Sequence, residues 1–218
     1  MLKLYGYWRS TAAYRVRIAL NVKQVSYSSV SVHLVKDGGE QHKAEYRMLN
    51  PQGLVPLLVD GKNSINQSPA ILEYLEERYP TPALLPEDIY ARAEVRSICQ
   101  MVACDIHPLN NLRVLQYLTG ELDVTEERKS QWYHHWIHKG FEPLEKKLQR
   151  HMSEGPYCMG SNLTMADIYL VSQVYNANRF NVDLKAYPRI CAINEHCMTL
   201  SAFADAAPEN QQDAISSN

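Results

Sequence analysis

Between residues 80 and 88 the chain reads PTPALLPED, three prolines in nine positions. No apolar period runs through such a stretch, and it resembles a linker between domains. The patterning differs on its two sides, and that difference constrains the fold more than any other feature. It divides the chain into a mixed α/β domain over 1–80, a linker over 81–88 and an all-helical domain over 89–218.

Residues 2–5 form a short apolar strand ended by Gly6, and Ser10 with Thr11 precede the helical stretch AAYRVRIALNVK. In it Ala12, Val16, Ala19 and Leu20 fall on one face. VSYSSVSV alternates as a second strand, and a polar stretch with a turn at Asp37-Gly38-Gly39 follows. LVPLLVD and the segment around Ile65 read as two strands joined at Asp60-Gly61. QSPAILEYLEERYP then places Ser68 as an N-cap, Pro69 in the first helical turn and Ile71, Leu72 and Leu75 on the buried stripe. The order β-α-β-β-β-α predicts a mixed sheet, parallel across the helical crossover and antiparallel at the hairpin.

Beyond Ile89 the pattern is helical. IYARAEVRSICQMVACDI predicts a long helix that Pro108 breaks or kinks. A further helix is expected from about Glu126 to Met152. Thr164 to Asp167 has capping-box spacing before ADIYLVSQVYNA. The last eleven residues, PENQQDAISSN, are polar and expected to fray.

A net charge of −2 gives no reason to expect nucleic acid as a partner. There is no apolar run of the roughly 18 residues a membrane helix needs. Five cysteines without a CxxC pair argue against a disulfide framework or a zinc site. His134 and His138 have metal-ligand spacing, but no glutamate lies between them in an HExxH pattern, so no metal is expected there. The expectation is a soluble protein of a reducing, cytoplasmic compartment.

Three weak signals occur in order in the first domain. Ser10 stands at the mouth of a helix, where backbone N–H groups and the positive helix end favour an anion such as a thiolate; taken alone, it is more often a simple cap. Val55-Pro56 puts a proline in an apparent strand, either an edge position or a cis bond that turns the Val55 backbone toward a peptide. Gln67 and Ser68 open the second helix, where a carboxylate can dock. Together they match glutathione, which has a thiol, a peptide backbone and a γ-glutamyl carboxylate.

RSTAAYRVRIAL (9–20) is similar to the motif SSCxWRVRIAL of zeta-class glutathione transferases. KDGGEQ, LNPQGLVPLL, NQSPAILEYLEE, IHPLNNLRVL and TMADIYLVSQVYNANRF also look like that class, and the resemblance covers nearly the whole chain. It implies a thioredoxin-like N-terminal domain joined to an all-α C-terminal domain, with glutathione as cofactor and a homodimeric assembly. By the same resemblance, Ser10 and Thr11 are catalytic. Glutathione would be held by Ser10, Thr11, Arg15, Gln41, Val55, Gln67 and Ser68, with His107, Asn111, Leu112 and Arg113 from the helical domain. Arg9 and Arg179 would take substrate carboxylates. The implied reaction is cis–trans isomerisation of a conjugated diacid, maleylacetoacetate to fumarylacetoacetate, a step of tyrosine and phenylalanine breakdown. Maleylpyruvate isomerisation, general conjugation and a non-catalytic interaction module are the alternatives. Two positions depart from the motif, Ala12 for its cysteine and Tyr14 for its tryptophan. Tyr5 and Tyr7 rival Ser10, because other transferase classes activate the thiol with an N-terminal tyrosine. Arg15 and Arg17, two apart on one helix, cannot both point at the site.

Overall fold

The computed structural model describes residues 1–150 and 155–215. Two compact units emerge, one holding Met1–Leu84 together with the stretch from Met198, the other Leu85–Cys197. The chain therefore returns to its first unit after the helical one, an arrangement the linker at 81–88 does not announce.

In the first unit, β1 (Leu2–Gly6), β2 (Tyr27–Ser31), β3 (Leu57–Asp60) and β4 (Asn63–Asn66) form one sheet in the order β2-β1-β3-β4. β1 pairs with β2 in parallel, while β1–β3 and β3–β4 are antiparallel. This is the mixed sheet that the element order requires. Side chains alternate between the two faces. Leu2, Leu4 and Leu58 are buried on one face. On the other, Leu57 joins Val32 and Tyr46 in an apolar cluster flanked by Tyr5 and Val59.

Helix α1 (Thr11–Val22) buries all of residues 11–20, and α3 (Ser68–Arg78) buries Ile71, Leu72 and Leu75. Each buried Val, Ile or Leu side chain among them contributes about 1.5–3 kcal/mol by leaving water. Lys23, just past α1, donates from Nζ to the carbonyls of Tyr79 (2.6 Å) and Pro82 (2.9 Å) and pairs with Glu76 at 2.7 Å. One buried ammonium thus fixes the end of α3 and the proline stretch after it. The polar segment between β2 and β3 contains one helix that the pattern did not predict, α2 (Ala44–Leu49).

The second unit is helical, as the pattern predicts. Its elements are α4 (Ile89–Gln100), α5 (Leu112–Gly120), α6 (Glu126–Arg150), α7 (Met165–Arg179) and α8 (Pro188–Met198). The expected single helix through Ile106 instead changes register. α4 passes into a π-helical turn over Met101–Ile106 and a 3-10 turn over His107–Asn110, where Pro108 needs no N–H partner. The expected end of α6 at Met152 lies outside the described residues. Asp167 accepts from the N–H (2.7 Å) and hydroxyl (3.0 Å) of Thr164 and from the N–H of Cys158 (2.7 Å), so the predicted capping residue also ties down the preceding loop. Glu145, buried in α6, accepts from the N–H groups of Arg189 and Ile190 at 2.9 Å each and so caps α8 from a neighbouring helix.

The tail expected to fray does not do so over its described part. Ahead of it Ser201–Ala204 forms α9, and within it Pro208–Asn210 forms a 3-10 turn and Gln212–Ile215 a short α10. Ala214 is buried in a cluster with Tyr7 and Trp8. That apolar contact anchors a segment whose own composition is polar. Residues 216–218 lie outside the described residues.

Candidate active site

Ser10 is the N-cap of α1: its φ of −72° and ψ of 113° are extended, and its Oγ accepts from the Ala13 N–H at 3.2 Å. The capping role and a functional one are compatible. The bond uses a lone pair and leaves the hydroxyl proton to donate outward. No acidic residue occupies the first turn of α1 itself, whose positive end favours an anion. Thr11, the first helical residue, is buried at 3% exposure.

The rings of the rival tyrosines pack against aromatic neighbours. The ring of Tyr7 packs between Trp8 (6.0 Å) and His33 (4.9 Å), and that of Tyr5 lies 6.2 Å from Tyr46.

The Val55–Pro56 bond is cis. Around it the loop is braced by Asn50, which sequence reasoning did not single out. Buried at 1% exposure, Asn50 donates to the Leu54 carbonyl at 2.8 Å and accepts from the Gln52 N–H and the Asn66 amide, both at 3.2 Å. Its position before Pro-Gln-Gly was the available signal, since asparagine bonds its own backbone in turns. The hydroxyl of Tyr46 donates to the same Leu54 carbonyl at 2.6 Å, and burial pushes its pKa up to about 12. Gly53 has a φ of +62°, and a Cβ there would meet the Gln41 carbonyl at 3.1 Å. No hydrogen bond among the described residues engages the Val55 backbone. Gln41 donates to the Leu34 carbonyl at 3.2 Å, while its Oε1 is buried without a hydrogen-bond partner.

At α3 the structure corrects the expected cap. Ser68 is the first helical residue and Gln67 occupies the cap position, with no side-chain cap bond. Gln67 has a φ of +67°, a conformation that costs a non-glycine residue about 1–3 kcal/mol and recurs at ligand sites. Its exposed amide donates to Gln52 Oε1 at 2.7 Å. Ser68 is buried and accepts from Arg15, Nη1 to Oγ at 3.4 Å. Arg15 is itself 1% exposed. Arg17 turns the other way, to the carbonyls of Trp8 (3.1 Å) and Ala206 (2.9 Å), as the two-residue spacing requires. Arg9 is exposed, with its guanidinium 4.1 Å above the Trp8 ring.

In the helical unit, His107 is half-buried in its 3-10 turn, and Asn111 caps α5 by accepting from the Arg113 N–H at 3.2 Å. Leu112 is half-buried and Arg113 exposed. Arg179 ends α7, exposed, 5.2 Å from the centroid of the Phe180 ring. His134 is bonded to the Phe180 carbonyl and His138 to the Tyr187 hydroxyl, both at 2.8 Å, so each ring has a structural partner. No helix among the described residues is long and apolar enough to cross a membrane.

Two family models match: "Glutathione S-transferase, N-terminal domain" over residues 4–83 and "Glutathione S-transferase, C-terminal domain" over 111–204. The chain belongs to the glutathione S-transferase family. It has the family's fold, a thioredoxin-like α/β unit with a helical unit. A Vibrio cholerae protein named "Probable maleylacetoacetate isomerase" is 56% identical over 98% of both chains. A Ralstonia protein named "Maleylpyruvate isomerase" is 48% identical over 98% of this chain and 100% of its own. A solved holo structure of a maleylpyruvate isomerase, described as a zeta-class bacterial glutathione transferase, aligns with a TM-score of 0.94 at 48% identity, covering 97% of this chain and 99% of that one. A maleylacetoacetate isomerase solved with malonate and glutathione aligns at 0.93 and 42% identity, covering 97% and 99%.

Within this transferase, both departures from the zeta-class motif are buried. Ala12 is 9% exposed. Tyr14 fills the tryptophan position and extends its hydroxyl to the Phe203 carbonyl at 3.3 Å.

Proposed function

We propose that this chain is a glutathione-dependent cis–trans isomerase that converts maleylacetoacetate to fumarylacetoacetate. The observation that carries this reading is the Ser10 hydroxyl at the mouth of α1, its oxygen anchored by the Ala13 N–H and its proton left to donate. The names of the relatives support the substrate class.

The residues present fit glutathione. The buried, unpartnered Oε1 of Gln41 is an acceptor of the kind a bound peptide satisfies. The strained Gln67 backbone and the uncapped start of α3 suit a γ-glutamyl carboxylate. Bound glutathione supplies a thiolate that adds to the activated double bond, permits rotation about the resulting single bond and departs again unchanged.

The protein's own part is to keep that sulfur ionised and the diacid oriented. A free thiol titrates near 8.5, and lowering it by two units takes about 2.7 kcal/mol. The α1 end contributes about 1–2 kcal/mol and a hydroxyl donor to a charged sulfur about 1.5–3 kcal/mol. Together these suffice. Thr11 supports Ser10 by starting the helix, and Arg15 holds Ser68 from below. Val55 offers its backbone to the peptide. His107, Asn111, Leu112 and Arg113 are proposed to add to the glutathione site. Arg9 and Arg179 are the cations proposed for the substrate's carboxylates.

The assembly proposed is a homodimer. Met48 and Leu49 on the first unit and Ile89 and Tyr90 on the second are exposed, at 80%, 42%, 84% and 72%. The compartment proposed is the cytoplasm, which suits five free cysteines.

The test is an assay on maleylacetoacetate with and without glutathione. Turnover that needs glutathione and does not consume it is expected. Stoichiometric consumption would make the enzyme a conjugating transferase. Ser10→Ala is expected to keep the fold and lower turnover by roughly 10²–10³; unchanged turnover removes Ser10 from its role. Maleylpyruvate is the second substrate to assay, on the strength of the Ralstonia relative.

A further inference from the structure

The turn that carries Ser10 is held by residues far from it in sequence. The Ser10 N–H donates to the Tyr7 carbonyl at 2.9 Å, closing a turn over Tyr7–Ser10. Within it, both polar backbone groups of Trp8 are taken. Its N–H donates to Asp213 Oδ2 at 3.0 Å, a partner 205 residues away, and its carbonyl accepts from Arg17 Nη2 at 3.1 Å. The same Asp213 oxygen accepts from the Ser31 hydroxyl at 3.0 Å, which ties it to the end of β2. Arg17 also donates from Nε to the Ala206 carbonyl at 2.9 Å. Next to Asp213, Ala214 is buried with Tyr7 and Trp8. A helix as short as α10 does not persist alone in water. Its place therefore depends on these contacts, one of which ends on the turn.

We propose that Asp213 is a positioning residue for the Ser10 hydroxyl, so that the C-terminal segment is part of the apparatus that ionises the thiol. The proposal rests on the Ser10 reading above. The link is the turn: a charge-assisted bond fixes the Trp8 amide two residues before Ser10. A hydroxyl–thiolate bond weakens steeply once its angle departs from linear. A carboxylate acting only by its charge would have the opposite effect, because removing a negative charge favours the thiolate.

The experiment titrates enzyme-bound glutathione by thiolate absorbance in wild type, Asp213→Ala, Asp213→Asn and Ser10→Ala. It adds amide hydrogen exchange at Trp8 without glutathione. For Asp213→Ala the expected result is a bound-thiol midpoint raised by about one unit, from about 6.5 to about 7.5, hence about threefold less thiolate at pH 7. Turnover at pH 7 falls about threefold while KM for glutathione stays within about twofold, and Trp8 exchange quickens about tenfold. Asp213→Asn keeps an acceptor oxygen and should keep its midpoint within about half a unit. A wild-type midpoint in Asp213→Ala, or one shifted downward, overturns the proposal. Should the alanine variant not fold, Asp213→Asn decides: its neutral acceptor must still quicken Trp8 exchange by about threefold, and unchanged exchange overturns the proposal. An unmoved midpoint in Ser10→Ala removes the serine reading and this proposal with it. A midpoint raised in Ser10→Ala but not in Asp213→Ala removes this proposal alone.

Discussion

Asp167 is fully buried and keeps its carboxylate occupied by donors from Thr164 and Cys158. Burial pushes its carboxyl above the ordinary value, and the same donors pull against that. Asp167→Ala removes the acceptor and strands the two backbone N–H groups that bonded to it. A loss of about 2–4 kcal/mol is expected, read as a lower urea midpoint with an unchanged slope. A change within 0.5 kcal/mol, the ordinary surface range, would deny Asp167 its bracing role. Asn50 works the same way in the loop of Val55, but with neutral partners, so its removal should cost less.

The loop between α2 and β3 depends on Tyr46 and Asn50 meeting at one carbonyl. Folding raises the Tyr46 phenol from 10.0 to about 12. The sign follows from proton binding. Between these values the unfolded chain has lost the phenolic proton and the folded protein still holds it. The stability Tyr46 contributes is fully present below pH 10 and falls as pH climbs to about 12. Urea melts across that window should show a decline that Tyr46→Phe lessens; an equal decline in both proteins would assign it to other groups. The register change at Met101 belongs to this scale too. Apolar spacing marks IYARAEVRSICQMVACDI as helical, but an α period and a π turn differ by a single residue, which the pattern does not resolve.

A ligand that binds only the folded protein stabilises it by mass action. Glutathione at a hundredfold over its dissociation constant should add about 2.7 kcal/mol, or roughly 5–10 °C in Tm for a chain of this size. Thermal shift with glutathione, against an analogue lacking the γ-glutamyl carboxylate, checks both the site and the role given to Gln67 and Ser68. Equal shifts would move the carboxylate away from α3.

Local chemistry is what the sequence could state by itself. Alternation and helical spacing define β1, α1, β3, β4 and α3; Asp60-Gly61 sets the hairpin, and Ser10 falls at a helix mouth whatever packs around it. Each of these is an interaction among near neighbours in the chain. The tertiary structure decided which groups were already spent. Arg15 could have faced a ligand, yet it lies beneath Ser68. Gln67, not Ser68, takes the strained cap position, and Ser68 instead meets Arg15. PENQQDAISSN has no apolar period, so nothing local forecasts that Ala214 is buried against Trp8 or that Asp213 accepts its amide. A contact across 205 residues is set by where the sheet and α1 bring the two segments, and that geometry exists only once the chain has folded.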